Sequence, residues 1–337
     1  MTRVPKEVDR LRKIVAAFPR ITVTVLGDMV ADEFIFGEIS RVSREAPVLI
    51  LRHRERTVVP GGGANAVNNL ADLGVNVLPV GIVGNDDAGR LLLRSFRHKR
   101  VPVTGILKDR NYPTVTKTRI LAGMPHTWRQ QVVRVDREPD AMPDRRIGRT
   151  LAFAAREYLR ASDALLVSDY GYGAATPWIL NASSPGSVPV VLDSRHRMLE
   201  FSGVTAATPN EAEVEEALGV EIGQNWSGLC SAGAEIISRM KLGSLIITRG
   251  RDGMVAFSGK HKPLNIPVFG SDQVTDVTGA GDTVIATFTA ALAAGATAEE
   301  AAHLANYAGG IVVMKRGTAT VSQQELLGAI EHAAQAK

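Results

Sequence analysis

Short β-branched runs alternate along the chain with longer stretches whose apolar residues have helical spacing. Continuous apolar runs predict buried strands at residues 21–26, 78–83, 164–168, 188–192, 204–207 and 244–248. Amphipathic or Ala-rich stretches predict helices at residues 3–18, 64–73, 87–99, 282–294 and 298–315. Residues 253–269 have the pattern of a hairpin. The regular alternation of strands and helices after residue 140 predicts an α/β protein with a doubly wound, mostly parallel sheet.

Two segments, residues 33–58 and 112–137, have a different pattern, because apolar and polar residues alternate as in strands with one wet face. Their strands are predicted at residues 33–38, 48–58, 114–122 and 130–136, with a turn around residues 123–125. We therefore expect a small β-sheet attached to an α/β body made of residues 1–32, 59–111 and 138–337. A sheet with one face uncovered by helices should cover a ligand, as a lid, or another subunit.

Composition is typical of a soluble globular protein that is large enough for such a body and its appendage: 337 residues, 45% hydrophobic and 22% charged. No apolar run reaches the roughly 18 residues that span a bilayer, so no membrane partner is expected. The charged N-terminus lacks the apolar core of a signal peptide. A single cysteine, Cys230, excludes an intramolecular disulfide and suits a reducing cytosol, so we expect a cytoplasmic protein.

A modest basic excess, a net charge of +4, is spread along the chain with local clusters at residues 52–56 and 90–100. Neither cluster is interleaved with aromatic residues, which make up only 5% of the chain, so a nucleic acid partner is not expected. The excess suits a protein whose ligands are phosphorylated.

The most informative segment is Asp276–Asp282 (DVTGAGD), which precedes an Ala-rich helix. Uncovered backbone N–H groups at a helix N-terminus can hold an anion. An acidic side chain there, Asp282, can accept a proton from a nucleophile that attacks the bound anion. Phosphoryl transfer to a hydroxyl needs both features. The structural alternative is a Gly-rich turn whose Asp caps the helix.

Another glycine-rich segment, Gly61–Asn65 (GGGAN), also opens a predicted helix. Its glycines allow close approach of a substrate, and the Asn65 amide can bind hydroxyls; the alternative is a flexible loop. The segment also fits a loose dinucleotide-binding pattern, which would suggest a dehydrogenase. Pro60 and an exposed strand precede it, and both argue against that interpretation. Asp28 ends the first buried strand, and Asp32 follows four residues later. Both are candidates for binding sugar hydroxyls, and the alternative is that they are turn residues.

Two further strand ends carry polar residues. Asn210 and Glu213 lie at a predicted helix start. They either cap this helix or lie near a triphosphate and its Mg²⁺, which would be held through water. Thr248 and Gly250 form a turn or contact nucleotide phosphates. The sequence contains no P-loop, zinc-binding or nucleophile-elbow motif.

These motifs, in this order, resemble the ribokinase-like carbohydrate kinase family of the phosphofructokinase-B type. DVTGAGD is similar to the family's C-terminal signature and GGGAN to its N-terminal motif, and the resemblance covers residues 20–325. Within the family the chain most resembles the kinase domain of D-glycero-β-D-manno-heptose-7-phosphate kinases. The stretches that carry this resemblance are Gly27–Asp28 with Asp32, Gly37–Val48, Thr116–Arg119 and Asn306–Thr320.

The resemblance implies a ribokinase-like fold and ATP-dependent phosphorylation of a sugar. It makes Asp282 the base and the N–H groups of Gly279, Ala280 and Gly281 the stabilisers of the transferring phosphoryl group. The implied sugar-binding residues are Asp28, Asp32, Gly62, Gly63 and Asn65. An existing substrate phosphate would contact Lys117, Arg119 and Arg134, unless these form a charged outer lid face. ATP would contact Arg195, Asn210, Thr248, Gly250 and Thr278, with Glu213 near Mg²⁺ through water.

The resemblance also implies a homodimer formed through the β lid, and it leaves open whether a monovalent cation is needed. The implied reaction converts heptose 7-phosphate to the 1,7-bisphosphate, on the route to ADP-heptose and lipopolysaccharide. Tyr172 and Arg195 stand where heptose kinases usually have lysine, so the chain departs from their pattern at these two positions. The nucleotidyltransferase domain that such enzymes often carry is not expected, because the chain ends at Lys337.

Two alternatives stay open at this point. One is a family member that phosphorylates another sugar, sugar phosphate or nucleoside. The other is a non-catalytic ligand-binding sensor on a kinase scaffold, against which the intact Asp282 argues.

Overall fold

The computed structural model describes residues 4–123, 129–259, 261–270, 276–315 and 317–335. Within these residues the strands are β1 (Thr22–Gly27), β2 (Met29–Val42), β3 (Leu49–Gly62), β4 (Asn76–Gly84), β5 (Ile106–Asp109), β6 (Thr116–Gly123), β7 (Gln130–Arg137), β8 (Ala164–Asp169), β9 (Val190–Ser194), β10 (Ala206–Ala207), β11 (Ser244–Thr248), β12 (Met254–Ser258) and β13 (Leu264–Ile266). The α-helices are α1 (Val4–Ala17), α2 (Gly63–Asp72), α3 (Asp87–His98), α4 (Arg145–Leu159), α5 (Pro177–Ser183), α6 (Glu211–Leu218), α7 (Trp226–Met240), α8 (Ala280–Ala293), α9 (Ala298–Val313) and α10 (Gln323–Gln335).

The large sheet has the strand order β13-β12-β11-β10-β9-β8-β1-β4-β5. Its strands from β11 to β5 pair in parallel, and β12 and β13 add an antiparallel edge. Successive residues of β8 face opposite sides: Leu166 belongs to one apolar cluster, and Leu165 and Val167 belong to another. Both faces are therefore buried, as a parallel sheet between helical layers requires. The predicted doubly wound, mostly parallel α/β architecture is confirmed.

A second sheet has the order β3-β2-β6-β7, with β2 and β6 parallel and the outer pairs antiparallel. Its strands come from the segments predicted as a lid. However, β2 begins at Met29 rather than at residue 33, and β3 ends at Gly62 rather than at residue 58. The root of β2, Met29–Ala31, is buried and so lacks the alternation on which the prediction was based.

The C-terminal helix α10 was not predicted, because only Leu326, Ala329 and Ile330 are buried along it. Leu326 and Ile330 join the same core cluster as Leu11 and Ile14 of α1, which explains why this short apolar stripe is helical. A β-type, polar pattern also predicts an extended stretch at residues 271–277. Most of this stretch, like the predicted turn residues 124–125, lies outside the described residues. In the described part of the chain, no helix combines the length and the apolar character that crossing a membrane requires.

Candidate active site

The DVTGAGD segment lies at the start of α8. Gly279 precedes the helix with a left-handed φ of 80°, and a Cβ there would come within 2.5 Å of the Asn65 amide nitrogen. The N–H groups of Gly279 and Gly281 have no acceptor among the described residues, whereas the N–H of Ala280 donates to the Val277 carbonyl at 3.2 Å. Two of the three predicted N–H groups are therefore free to bind an anion in this conformation.

The carboxyl group of Asp282 lies at this helix start and is only 4% exposed. Asn65 Nδ2 donates to its Oδ2 at 2.9 Å, and the Tyr170 hydroxyl donates to its Oδ1 at 2.8 Å. Burial raises the pKa of Asp282 to about 7, while the two hydrogen bonds act to lower it. A buried carboxyl group that titrates near neutrality suits a general base.

Close backbone packing brings Asn65 to this position. A Cβ on Gly63, the first residue of α2, would lie 2.9 Å from the carbonyl oxygen of Asp28, so only glycine lets the helix approach the β1–β2 turn. Asn65 itself is fully buried, and its backbone and side-chain oxygens both accept from Asn69 Nδ2. The GGGAN segment is thus an ordered helix start, and the alternative of a flexible loop does not hold for it.

Asp28 is fully buried, and its carboxyl group accepts three backbone N–H groups. Its Oδ2 accepts the N–H groups of Tyr170 and Tyr172 at 2.8 and 3.0 Å, and its Oδ1 accepts the N–H of Ala174 at 2.8 Å. Burial raises the pKa of Asp28 to about 6. Asp28 therefore orders the loop that follows β8, and its contact with a sugar stays a prediction.

On the lid, the register places Asp32 beside Lys117 and Phe34 beside Arg119, so these side chains share one face of the sheet. Arg119 Nη1 forms an ion pair with Asp32 Oδ1 at 2.6 Å. Arg134 pairs in the same way with its neighbour Asp136, at 2.7 and 2.5 Å. Two of the three predicted phosphate-binding cations thus already have carboxylate partners.

Lys117 is the third of these cations, and it is 9% exposed with no carboxylate in ion-pair distance among the described residues. Its Nζ lies 5.2 Å from the ring centroid of Tyr170 and 5.9 Å from that of Tyr172. Burial, followed by the charge of Arg195, lowers the pKa of Lys117. We call the residues that meet here the inner cluster: Asp28, Asp32, Asn65, Lys117, Tyr170 and Asp282.

Asn210 and Glu213 form a capping box at the start of α6. Asn210 Oδ1 accepts the N–H of Glu213 at 2.9 Å, and Glu213 Oε2 accepts the N–H of Asn210 at 2.9 Å. The N–H of Thr248 donates to the Pro209 carbonyl at 3.0 Å, so the two predicted nucleotide loops lie side by side. We call Arg195, Asn210, Glu213, Thr248 and Gly250 the outer row.

Asp193, which was not among the predicted site residues, lies between the inner cluster and the outer row, because the charges of both Asp282 and Glu213 act on it. Its half-buried carboxyl group has no hydrogen-bond or ion-pair partner in the described part of the chain. Burial, followed by the negative charges of Glu213 and Asp282, raises its pKa strongly, against the charge of Arg195. Its position at the end of β9, at the carboxyl edge of a parallel sheet, is the signal that could have identified it.

The described residues contain no group of three or more His, Cys, Asp and Glu side chains that could hold a metal ion. A divalent cation here would need phosphate oxygens and water to complete its shell, as is common for Mg²⁺. The first aspartate of the motif, Asp276, accepts the N–H groups of Thr278 at 2.9 Å and Gly317 at 3.1 Å, so it orders the loop before α8. The predicted ATP contact of Thr278 stays a prediction.

Most of the chain is similar in sequence to known carbohydrate kinases. The family model for pfkB family carbohydrate kinases matches residues 22–325. The bifunctional protein HldE of Pelobacter propionicus is 37% identical over 327 residues, which cover 95% of this chain and 66% of that protein. The corresponding protein of Geobacter metallireducens is 38% identical over 315 residues, with 92% and 63% covered. The chain thus spans about two thirds of the length of these relatives.

Solved structures with the same fold include Arabidopsis thaliana ribokinase complexed with ribose and ATP, with a TM-score of 0.72 at 20% identity. That comparison covers 92% of this chain and 98% of the ribokinase chain. Escherichia coli phosphofructokinase-2 in complex with fructose-6-phosphate has a TM-score of 0.74 at 17% identity, with 93% and 98% covered. These similarities confirm the predicted ribokinase-like fold.

Proposed function

Because the chain belongs to the pfkB family of carbohydrate kinases, and is therefore a sugar kinase, we propose that its acceptor is a sugar phosphate. The acceptor that we prefer is D-glycero-D-manno-heptose 7-phosphate, converted to the 1,7-bisphosphate. This choice rests on the similarity to HldE and on the resemblance of Gly37–Val48 and Asn306–Thr320 to heptose kinases. The observation that carries the catalytic proposal is the buried Asp282 carboxyl group beside the N–H groups of Gly279 and Gly281, which have no acceptor in the part of the chain that the structure describes.

In the proposed step, a sugar hydroxyl attacks the γ-phosphorus of ATP and gives its proton to Asp282. The new O–P bond forms as the bond between the γ-phosphorus and the β,γ-bridging oxygen breaks, and ADP leaves with that electron pair. The N–H groups of Gly279 and Gly281 stabilise the charge on the transferring phosphoryl oxygens. Closure of the lid would exclude water and so limit wasteful ATP hydrolysis.

The outer row would hold Mg²⁺–ATP. Asp193 has no hydrogen-bond or ion-pair partner among the described residues, and it lies close enough to Glu213 for that negative charge to raise the pKa of Asp193. This pair fits a cation that keeps most of its shell as water and phosphate. When bound, Mg²⁺ neutralises charge on the phosphates of ATP. Asn210, Thr248 and Gly250 line the adjacent loops, and Gly250 is open, since a Cβ there would meet no atom within 4 Å.

Lys117 would bind the phosphate that the acceptor already carries. Among the described residues no carboxylate neutralises this buried cation of the lid face. An anionic ligand would therefore offset the free-energy cost of burying its charge. Arg119, in contrast, is held by Asp32 and leaves the second oxygen of that carboxylate to accept a sugar hydroxyl.

The opposite face of the lid supports the homodimer. Val133 and Val135 lie on one face of β7 and are 47% and 54% exposed. Burying these valines against a second copy would remove apolar surface from water. We expect light scattering to give the mass of a dimer, and Val135→Glu to give a monomer.

The acceptor is tested by ADP release from Mg²⁺–ATP with heptose 7-phosphate, fructose 6-phosphate, fructose 1-phosphate, ribose, fructose and adenosine, and with Asp282→Asn as the blank. Turnover confined to heptose 7-phosphate supports the full proposal. Turnover with another acceptor keeps the kinase and points to Tyr172 and Arg195 as the cause of altered specificity. A protein that binds ATP but turns over none of these acceptors would favour an acceptor outside this panel or a non-catalytic sensor.

A further inference from the structure

Tyr170 lies between the lid and the candidate base. Its hydroxyl donates to Asp282 Oδ1 at 2.8 Å, and its ring lies 5.2 Å from the Nζ of Lys117, which β6 of the lid supplies. The other oxygen of Asp282 is occupied by the Asn65 amide at 2.9 Å. The orientation of the Asp282 carboxyl group is thus set from two sides, by a body helix and by the loop after β8.

We propose that Tyr170 is a positioning residue, which holds the Asp282 carboxyl group in the orientation for proton transfer and which the lid engages through Lys117. The inference rests on the proposed function, because it takes Asp282 as the base. Tyr170 was not among the site residues predicted from the sequence. Through Tyr170 the lid would affect the orientation of the Asp282 carboxyl group, in addition to excluding water.

The backbone, rather than the hydroxyl contact itself, determines where the Tyr170 hydroxyl lies. Asp28 accepts the N–H of Tyr170 at 2.8 Å and that of Tyr172 at 3.0 Å. The Tyr172 hydroxyl donates to Glu138 at 2.6 Å, so the loop is tied at a second point. A loop fixed in this way presents the Tyr170 hydroxyl to Asp282 at little further entropic cost, which is how a preorganised site is built.

The charges around Asp282 determine the sign of the expected pH effect. The charged groups that act most strongly on the pKa of Asp282 or Tyr170 include Asp32 from β2, Lys117 from β6, Asp193 from β9 and Arg195, which follows β9. Asp28 also lies here, because it accepts the N–H of Tyr170. Burial raises the pKa of Tyr170 well above its usual range, so its hydroxyl stays a donor. Donation favours the ionised carboxylate and lowers the pKa of Asp282. Removing the hydroxyl should therefore raise that pKa and move the acidic limb of kcat/KM to higher pH.

The test is Tyr170→Phe in the full chain, with kcat and both KM values measured from about pH 5 to 9 on the best acceptor of the panel. We expect kcat to fall about 10-fold or more, the scale of a lost hydrogen bond to a charged group, with KM values changed less than about 3-fold. The acidic limb, near pH 7 in the unmodified protein from the pKa of Asp282, should move upward. Tyr158→Phe is the matched control, since it removes a hydroxyl that is hydrogen-bonded to Thr104 at 2.6 Å, on an exposed part of the body.

Unchanged kcat and an unmoved acidic limb in Tyr170→Phe, or a loss no larger than in Tyr158→Phe, would overturn the inference. Asp282→Asn separates the two claims: if it keeps its activity, the proposed base is wrong, whereas if it is inactive beside a normal Tyr170→Phe, only the positioning role fails. The path through the lid is tested by Lys117→Met alone and combined with Tyr170→Phe. Tyr170→Phe keeps the ring that Lys117 contacts, so this cycle tests whether Lys117 acts through the Tyr170 hydroxyl. A smaller effect of Lys117→Met on kcat in the Tyr170→Phe background supports the path, and additive effects overturn it.

Discussion

The inner cluster and the outer row are built in opposite ways. The side chains of the inner cluster are buried, apart from the half-buried Tyr170, and Asn65 and Tyr170 hold Asp282. Arg119, beside the cluster, holds Asp32 in the same way. In the outer row, Asn210, Arg195 and Gly250 are exposed, and the only described side-chain bonds are those of a helix cap. One end of the candidate site is thus preorganised by side chains and the other by backbone and loops.

The difference follows from what each end has to do. A base needs burial to bring a carboxyl pKa to about 7, and a buried carboxyl group must be hydrogen-bonded. A nucleotide brings its own charge and counter-ion and must leave after each turnover, so open backbone and solvated polar groups suffice. The comparison predicts that changes in the inner cluster act on kcat or on acceptor binding, while changes in the outer row act on ATP.

The largest effect is expected from Asp282→Asn. Losing a general base lowers kcat by about 10²–10⁴-fold, while KM for ATP should change little, because the substitution leaves the outer row intact. Steady-state ADP release on a variant with an unchanged thermal unfolding midpoint is the measurement. Near-normal kcat in the folded variant would contradict the assignment of Asp282 as the base. It would also contradict the proposed difference in function between the inner cluster and the outer row.

A smaller effect is expected from Lys117→Met, which keeps the aliphatic stem and removes the charge. KM for a phosphorylated acceptor should rise about 10- to 100-fold, the scale of a lost charge-assisted hydrogen bond, with KM for ATP nearly unchanged. Lys108→Met is the matched control, because Lys108 is exposed on β5. An equal loss with phosphorylated and unphosphorylated acceptors would show that Lys117 does not recognise the phosphate.

Much of the inner cluster could not be read from the sequence, because its contacts join distant parts of the chain. Asn65 and Asp282 were found through their glycine-rich helix starts, but their hydrogen bond spans 217 positions. The bond between Asp28 and the Tyr170 N–H spans 142 positions and gives Asp28 a role as loop anchor that the sequence did not predict. Such pairs depend on the order of the strands in the sheet. The alternation of strands and helices predicts the fold class but not that order.

The outer row was easier to predict in place than in role. The sequence located Asn210, Glu213 and Thr248 at strand ends and helix starts, and the structure places them there. It could not decide between cap and ligand, because both uses favour the same residue types at the same helix position. The pairing of Arg119 with Asp32 was unforeseen for another reason, since it depends on the parallel register of β2 and β6.

The smallest effect, and the one that decides between cap and ligand, comes from comparing Asn210→Ala with Thr297→Ala. Both residues open capping boxes, Asn210 with Glu213 on α6 and Thr297 with Glu300 on α9. Each substitution should lower the free energy of unfolding by about 1 kcal/mol, measured by denaturant titration. Only Asn210→Ala should also raise KM for Mg²⁺–ATP, by about 3- to 10-fold, since a lost neutral hydrogen bond costs about 1 kcal/mol. If both variants keep the same KM, Asn210 is a cap alone, and ATP binding in the outer row must rest on the backbone at Gly250 and on Arg195.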